Sequence, residues 1–182
     1  MSRPQVLSAL NLAALLVHQY EEYEDPGYFP GQFNGGLFHS DRPERYPLNS
    51  NVAMVINVPL AYTFYALPVL FPKKRWLGLA PVLFGFGQAV AHGLVFNRLA
   101  HDRYSPGFLA SLLLLHVPIG SQYLKAHRAD GPIEPSDWRK ARLYTIAFAA
   151  SSVTAPNVLL RDKNSRYTFT AKQVGRFAKT GS

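Results

Sequence analysis

His18, Glu21 and Glu22 fall within five residues of one another in the run His18-Gln19-Tyr20-Glu21-Glu22. At spacings of three and four they put an imidazole and one or two carboxylates on one face of a helix. Such a set can hold a divalent metal through ring nitrogen and carboxylate oxygen, or pass a proton between its members. Asn11 stands on the same stripe, seven residues before His18. Two more histidines fall in long uncharged stretches: His92, four after Gln88, and His116, four before Gly120. His39, His101 and His127 fall in connectors and read as surface residues, with His101 placed to line the mouth of a site.

The stretches that must position these groups are distinguished by charge. Residues 51–71, 76–97, 104–124 and 143–160 contain no Asp, Glu, Lys or Arg, and each reaches the roughly 18 to 22 residues that cross a bilayer core of about 30 Å. The mean hydropathy of −0.04 hides this, because the charges are crowded into short connectors. A fifth apolar stretch, 6–17, is shorter. Led by Arg3, it also fits the hydrophobic part of a secretory signal, although no small-x-small cleavage site follows Val17. Continued as a helix over 4–23 it reaches spanning length, with the His/Glu run inside its outer end.

The expected fold is all-α, an integral membrane helical bundle of four to five transmembrane helices. The helices are expected at about 4–23, 51–71, 76–97, 104–124 and 141–160, in one domain over 1–160, with a basic tail over 161–182. The connector 24–50 is rich in Pro, Gly and Asn and predicts an irregular cap over one bundle end. Pro59, Pro68, Pro81, Pro118 and Pro156 predict kinks, which bilayer-buried helices tolerate. Gly78, Gly85, Gly87 and Gly93 permit close helix contact and make the third helix a candidate for the bundle centre.

Depth brings the polar groups together. At about 1.5 Å per residue, His18 lies about 7 Å in from Tyr23, His92 about 7 Å in from Asn97, Asn57 about 9 Å in from Asn51, and His116 about 14 Å in from Gly107. Alternating helix directions place all four at one end of the bundle, whichever way the protein is inserted. Ionisable groups at membrane depth are costly unless paired or bound, so the cluster is a functional candidate. The expected metal ligands are His18, Glu22, His92 and His116, with Asn57 and Gln88 hydrogen-bonded behind the imidazoles. Glu21 and Glu22 are the candidate catalytic carboxylates, the one that does not ligate serving as base. Two or three imidazoles with one or two carboxylates suit one zinc, iron or manganese ion. A di-metal centre, which draws carboxylates from four helices, is under-supplied.

The net charge of +8 would suggest nucleic acid in a soluble chain. Here the basic residues flank the apolar stretches, so the bilayer and its anionic headgroups are the expected partner, and nucleic acid is not. With the amino terminus inside, the connectors follow the positive-inside rule. The tail opposes it unless the last helix stops short, the tail is translocated, or the orientation is inverted. The absence of cysteine excludes thiolate and disulfide chemistry.

The run His18-Gln19-Tyr20-Glu21-Glu22, closing an apolar amino-terminal helix and followed by an aromatic and Pro/Gly-rich stretch, resembles the HXXEE family of small multi-spanning membrane proteins. His92 within a later apolar stretch and the run Tyr104-Ser105-Pro106-Gly107 extend the resemblance to about Leu124. The resemblance implies that His18, Glu21 and Glu22 are defining positions; the family's function is uncharacterised, so it implies no reaction. Three functions stay open: a metal-dependent membrane enzyme acting on a lipid or other apolar substrate, with Tyr62, Phe64, Phe84 and Phe86 as candidate pocket residues; a proton-coupled transporter or channel; and a scaffold in which the motif is a structural clasp.

Overall fold

The computed structural model describes residues 1–178, apart from the side chain of Ala110. Seven helices are formed, and there is no strand among the described residues. They are α1 (Arg3–Tyr23), α2 (29–37), α3 (Ser50–Leu70), α4 (Arg75–Leu99), α5 (108–129), α6 (135–159) and α7 (171–177). Local signals set their starts. Ser2 caps α1 ahead of Pro4, Asn49 caps α3 by accepting from the Val52 N–H, and Thr170 and Gln173 form a reciprocal capping box on α7. Gly107, at φ 91°, turns the chain into α5 in a conformation other residues adopt only under strain.

The expected helices are all present, with shifted ends. The fourth starts at 108, not 104, because Gly107 breaks the chain there, and it continues to Ala129 through a charged turn. The last starts at Pro135, not 141, because the charged residues that bound the apolar stretch are themselves good helix formers. Among the described residues, α3 and α4 are the two helices long and apolar enough, by length and composition, to cross a membrane.

Helices α1, α4 and α6 run one way, with α3 and α5 antiparallel to them. α1 packs on α3 and α5, while α4 packs on α3 and, over its first half, about equally on α5 and α6. The glycines of α4 allow these approaches: Gly78 meets Tyr123, Gly85 meets His116 and Gly93 meets Phe108, whereas Gly87 faces nothing. Three of the prolines sit beside widened turns. Near Pro59, Pro118 and Pro156 the N–H groups of Ala61, Val117 and Ala155 bond to carbonyls five residues back. A π-type turn accommodates the ring and the missing donor without ending the helix.

Polarity is distributed inside out. Ser8, Asn11, His18, Glu21 and Glu22 are buried on α1, while Leu10, Leu16 and Val17 are exposed; α3 exposes Met54 and Val58, and α4 exposes Val90, Leu94 and Val95.

One end is closed by the 24–49 connector and the tail. Asn34 organises the connector, donating to the carbonyls of Pro43 and Leu48 and accepting from the Leu48 N–H. The described part of the basic tail packs against this end. The Phe169 N–H donates to the Glu44 carbonyl, Gln173 to the Tyr23 carbonyl, and Arg176 pairs with Asp102 at 3.2 Å. Lys179 and the rest of 179–182 lie outside the described residues. With α6 full length, Arg42, Arg45, Arg98, Arg103, Arg161, Lys163, Arg166, Lys172 and Arg176 gather at the capped end. Arg3, Lys73, Lys74, Arg75, Lys125, Arg128, Arg139, Lys140 and Arg142 gather at the other. Among the described residues the two sets are equal in size, so they assign no orientation by the positive-inside rule.

Candidate metal centre

Near the capped end, Glu22 and His18 of α1 meet His92 of α4. Glu22 Oε1 lies 3.3 Å from His18 Nε2 and 3.4 Å from His92 Nε2. One ligand atom from each of the three residues lies within 4.8 Å of the other two, and all three residues are buried. Two ligands about 2.1 Å from one ion at a tetrahedral angle are about 3.4 Å apart, so the two short separations match shared coordination. A buried carboxylate is costly without a compensating cation, and among the described residues no lysine or arginine pairs with Glu22.

The far sides of both rings show where the imidazole protons go. His18 Nδ1 is 3.0 Å from the Gly107 carbonyl and 3.0 Å from Ser111 Oγ. A carbonyl only accepts, so Nδ1 carries the proton. His92 Nδ1 is 3.0 Å from Ser105 Oγ, and Ser105 gives its own proton to Gln32 Oε1 at 2.6 Å. Ser105 therefore accepts from His92 Nδ1–H. In its neutral form each ring turns a bare Nε2 lone pair toward the same carboxylate oxygen. In that form three acceptors face one another, an arrangement that a shared cation satisfies, whether a metal ion or a proton. Fixing the tautomer from behind is how proteins orient metal-binding imidazoles.

The residues behind the imidazoles differ from those expected. Asn57 donates to Tyr23 Oη and to the Ala53 carbonyl, and no hydrogen bond joins Gln88 to an imidazole; both line the adjacent cavity. Ser105, Ser111 and Gln32 take the expected role. Small hydroxyl and amide residues in a connector carry no periodic signal, and the Tyr104-Ser105-Pro106-Gly107 run was the trace they left in the sequence.

His116 also departs from expectation. It faces the same cavity, but its Nδ1 bonds Asn11 Oδ1 at 2.6 Å, its ring centre is 6.3 Å from that of His18, and it lies outside the group of three. Glu21 does not line the cavity. One oxygen accepts from the Tyr104 hydroxyl and the Leu109 N–H, and the other from the Ser111 N–H and hydroxyl. This carboxylate caps the start of α5 and holds Ser111 against His18, so it is turned away from the cavity in which it was expected to serve as base. Gln19 ties α1 to α3, donating to the Asn57 carbonyl and accepting from the Tyr62 hydroxyl. Among the connector histidines, His101 does not line the cavity, and His127 is buried against Tyr123.

The three residues open onto a cavity of about 150 Å³. Phe29 and Phe33 of the cap, Tyr65, Phe84, Phe96, Leu112 and Phe148 make its walls mainly apolar. Of the four aromatics expected there, Phe84 is present; Phe64 is buried in the main core, Phe86 packs by Gly120, and Tyr62 is taken by Gln19.

No curated protein and no solved structure matches the chain. Residues 9–123 match the family described as a protein of unknown function with HXXEE motif, a stretch that contains the three clustered residues and every hydrogen-bond partner behind them. The chain therefore belongs to the HXXEE family.

Proposed function

We propose that the protein is a multi-pass integral membrane enzyme that uses one divalent metal ion, zinc, iron or manganese, held by His18, His92 and Glu22, to act on a lipid or other apolar substrate. The observation that carries this is the convergence of two imidazole Nε2 atoms, each held from behind at Nδ1, and one carboxylate oxygen on the wall of an apolar cavity. Two histidines and one carboxylate are a familiar donor set for zinc hydrolases and non-haem iron enzymes. A metal so held supplies Lewis acidity or an activated water at neutral pH. The chain's own contribution is to fix both imidazoles, exclude bulk water through Phe29 and Phe33, and leave the cavity side of the centre approachable.

A structural clasp fits less well, since it would satisfy each histidine with its own acceptor, whereas both Nε2 atoms here turn to the same Glu22 oxygen. The membrane setting is supported by the apolar windows of α3 and α4, of which only 33% is buried in the protein. A core helix of a soluble protein would bury most of that surface.

Metal analysis of protein purified without chelator tests the centre. We expect about one ion per chain, as a structural or catalytic site holds it, falling to background in Glu22→Gln and His92→Ala variants that still melt cooperatively. Negligible metal in the wild type and variants alike overturns the proposal.

A further inference from the structure

The cavity has polar atoms that the metal centre does not use, and two of them are amide oxygens. Asn157 of α6 lies on its wall. Its Nδ2 donates to the Val153 carbonyl at 2.8 Å, which fixes the orientation of the amide. Its Oδ1 is buried and has no hydrogen-bond partner. Exchanging the amide O and N would face one oxygen with another, so the unpartnered atom is an acceptor. On the same cavity, Asn57 of the neighbouring α3 commits its Nδ2 to Tyr23 and Ala53, leaving another amide oxygen to accept. A buried acceptor without a donor, as Asn157 Oδ1 is, is rare in folded proteins because it forfeits its bonds to water.

The route to these atoms is lateral. Helices α4 and α6 pack most closely over 75–90 and 135–148, while Gln88 and Phe96 on one and Val153 and Asn157 on the other line the cavity. The family match ends at residue 123, so Asn157 lies on the part of the chain outside it.

We infer that the cavity binds, through the side between α4 and α6, an apolar molecule that carries a hydroxyl or N–H, and that Asn157 Oδ1 selects it by accepting that hydrogen. The inference rests on the cavity being the substrate site and narrows the substrate class to lipid-phase alcohols, phenols and amides. A cavity of about 150 Å³ takes a benzene-sized guest, so the occupant is a small ring or the end of a longer chain. Gln88, which both donates and accepts, does not discriminate; the two asparagine oxygens favour a donor over an ether or alkane of equal size.

The test compares 4-fluorophenol with 4-fluorotoluene, alike in shape and differing in the donor, by fluorine NMR titration of protein in lipid nanodiscs, each corrected for partition into empty nanodiscs. The wild type is expected to bind the phenol about tenfold more tightly, the worth of one well-formed buried hydrogen bond. Asn157→Leu is expected to lose that preference and Asn157→Asp, which keeps an acceptor, to retain it; Asn157→Ala replaces the leucine variant if that one does not fold. Equal binding of the two probes by the wild type, or an undiminished preference in Asn157→Leu, overturns the inference. Metal content measured on the same samples keeps the two proposals apart. The phenol preference persists in Glu22→Gln if the selector is Asn157, and a metal-loaded protein without the preference refutes only this inference.

Discussion

Glu21 and Glu22 are adjacent and do unlike work, because consecutive residues on a helix face about 100° apart. Glu22 turns to the histidines, and Glu21 turns to the start of α5. Glu21→Gln would keep the centre but weaken its support, since a neutral amide holds the Leu109 and Ser111 N–H groups less well. Loss of such supporting partners typically costs 10- to 100-fold in metal affinity. Titration of metal-stripped protein should therefore show Glu21→Gln saturating at the wild-type stoichiometry at about 10- to 100-fold higher metal, while Glu22→Gln does not saturate. The opposite ranking would mean that the two carboxylates have been assigned the wrong way round. His127, at the far end and beyond the apolar stretch of α5, gives a pH prediction. Its ring nitrogens have no hydrogen-bond partners, and burial, followed by the Arg75 guanidinium, holds its pKa below the ordinary 6.5. The unfolded chain then binds a proton before the folded one does, so stability is lost as pH falls through about 6.5. His127→Phe should melt with a smaller drop than the wild type on that acidification; equal drops would leave His127 without a part in it.

At the scale of elements, the five long helices were legible because charge-free stretches of spanning length admit few other readings. Their ends were less so. Residues 104–107 are uncharged but belong to the turn at Gly107, and 135–140 are charged but helical. Helix α2 left no local signal at all. The run Phe29-Pro30-Gly31, continuing to Gly35 and Gly36, has poor helix propensity, and packing overrides it. Gly31 shows how. A Cβ there would come within 1.9 Å of the Val174 carbonyl oxygen, so α7 can lie on α2 only while residue 31 has no side chain. Gly31→Ala should lift α7 off the cap and expose 160–178 to limited proteolysis, with metal content retained because no ligand lies on either helix. Unchanged cleavage would show that the tail is held by other contacts, such as Arg176 with Asp102.

For the whole molecule, depth counted along alternating helices brought His18, His92, His116 and Asn57 to one level, and all four do line one cavity. Depth gives no rotation about the helix axis, however. His116 sits at the right height and turns to Asn11, while the hydroxyls that hold the rings come from turns that no periodicity describes. The same global view leaves the ends unequal in net charge although equal in cations. The capped end adds Glu24, Asp25, Asp41, Glu44, Asp102 and Asp162 to the two motif carboxylates, whereas the far end has only Asp130, Glu134 and Asp137 against nine cations. If α3 and α4 cross a bilayer, the far end is the face drawn to anionic headgroups, at about 1 kcal/mol for each cation near the surface. Protein in nanodiscs containing phosphatidylglycerol should therefore melt higher than in phosphatidylcholine alone. The difference should shrink in about 1 M salt, where the screening length falls to about 3 Å. The paired change Lys73→Glu and Lys74→Glu should remove much of it, while Arg161→Glu at the capped end should leave it nearly intact. A dependence on headgroup charge that follows Arg161 instead would place the anionic surface at the capped end.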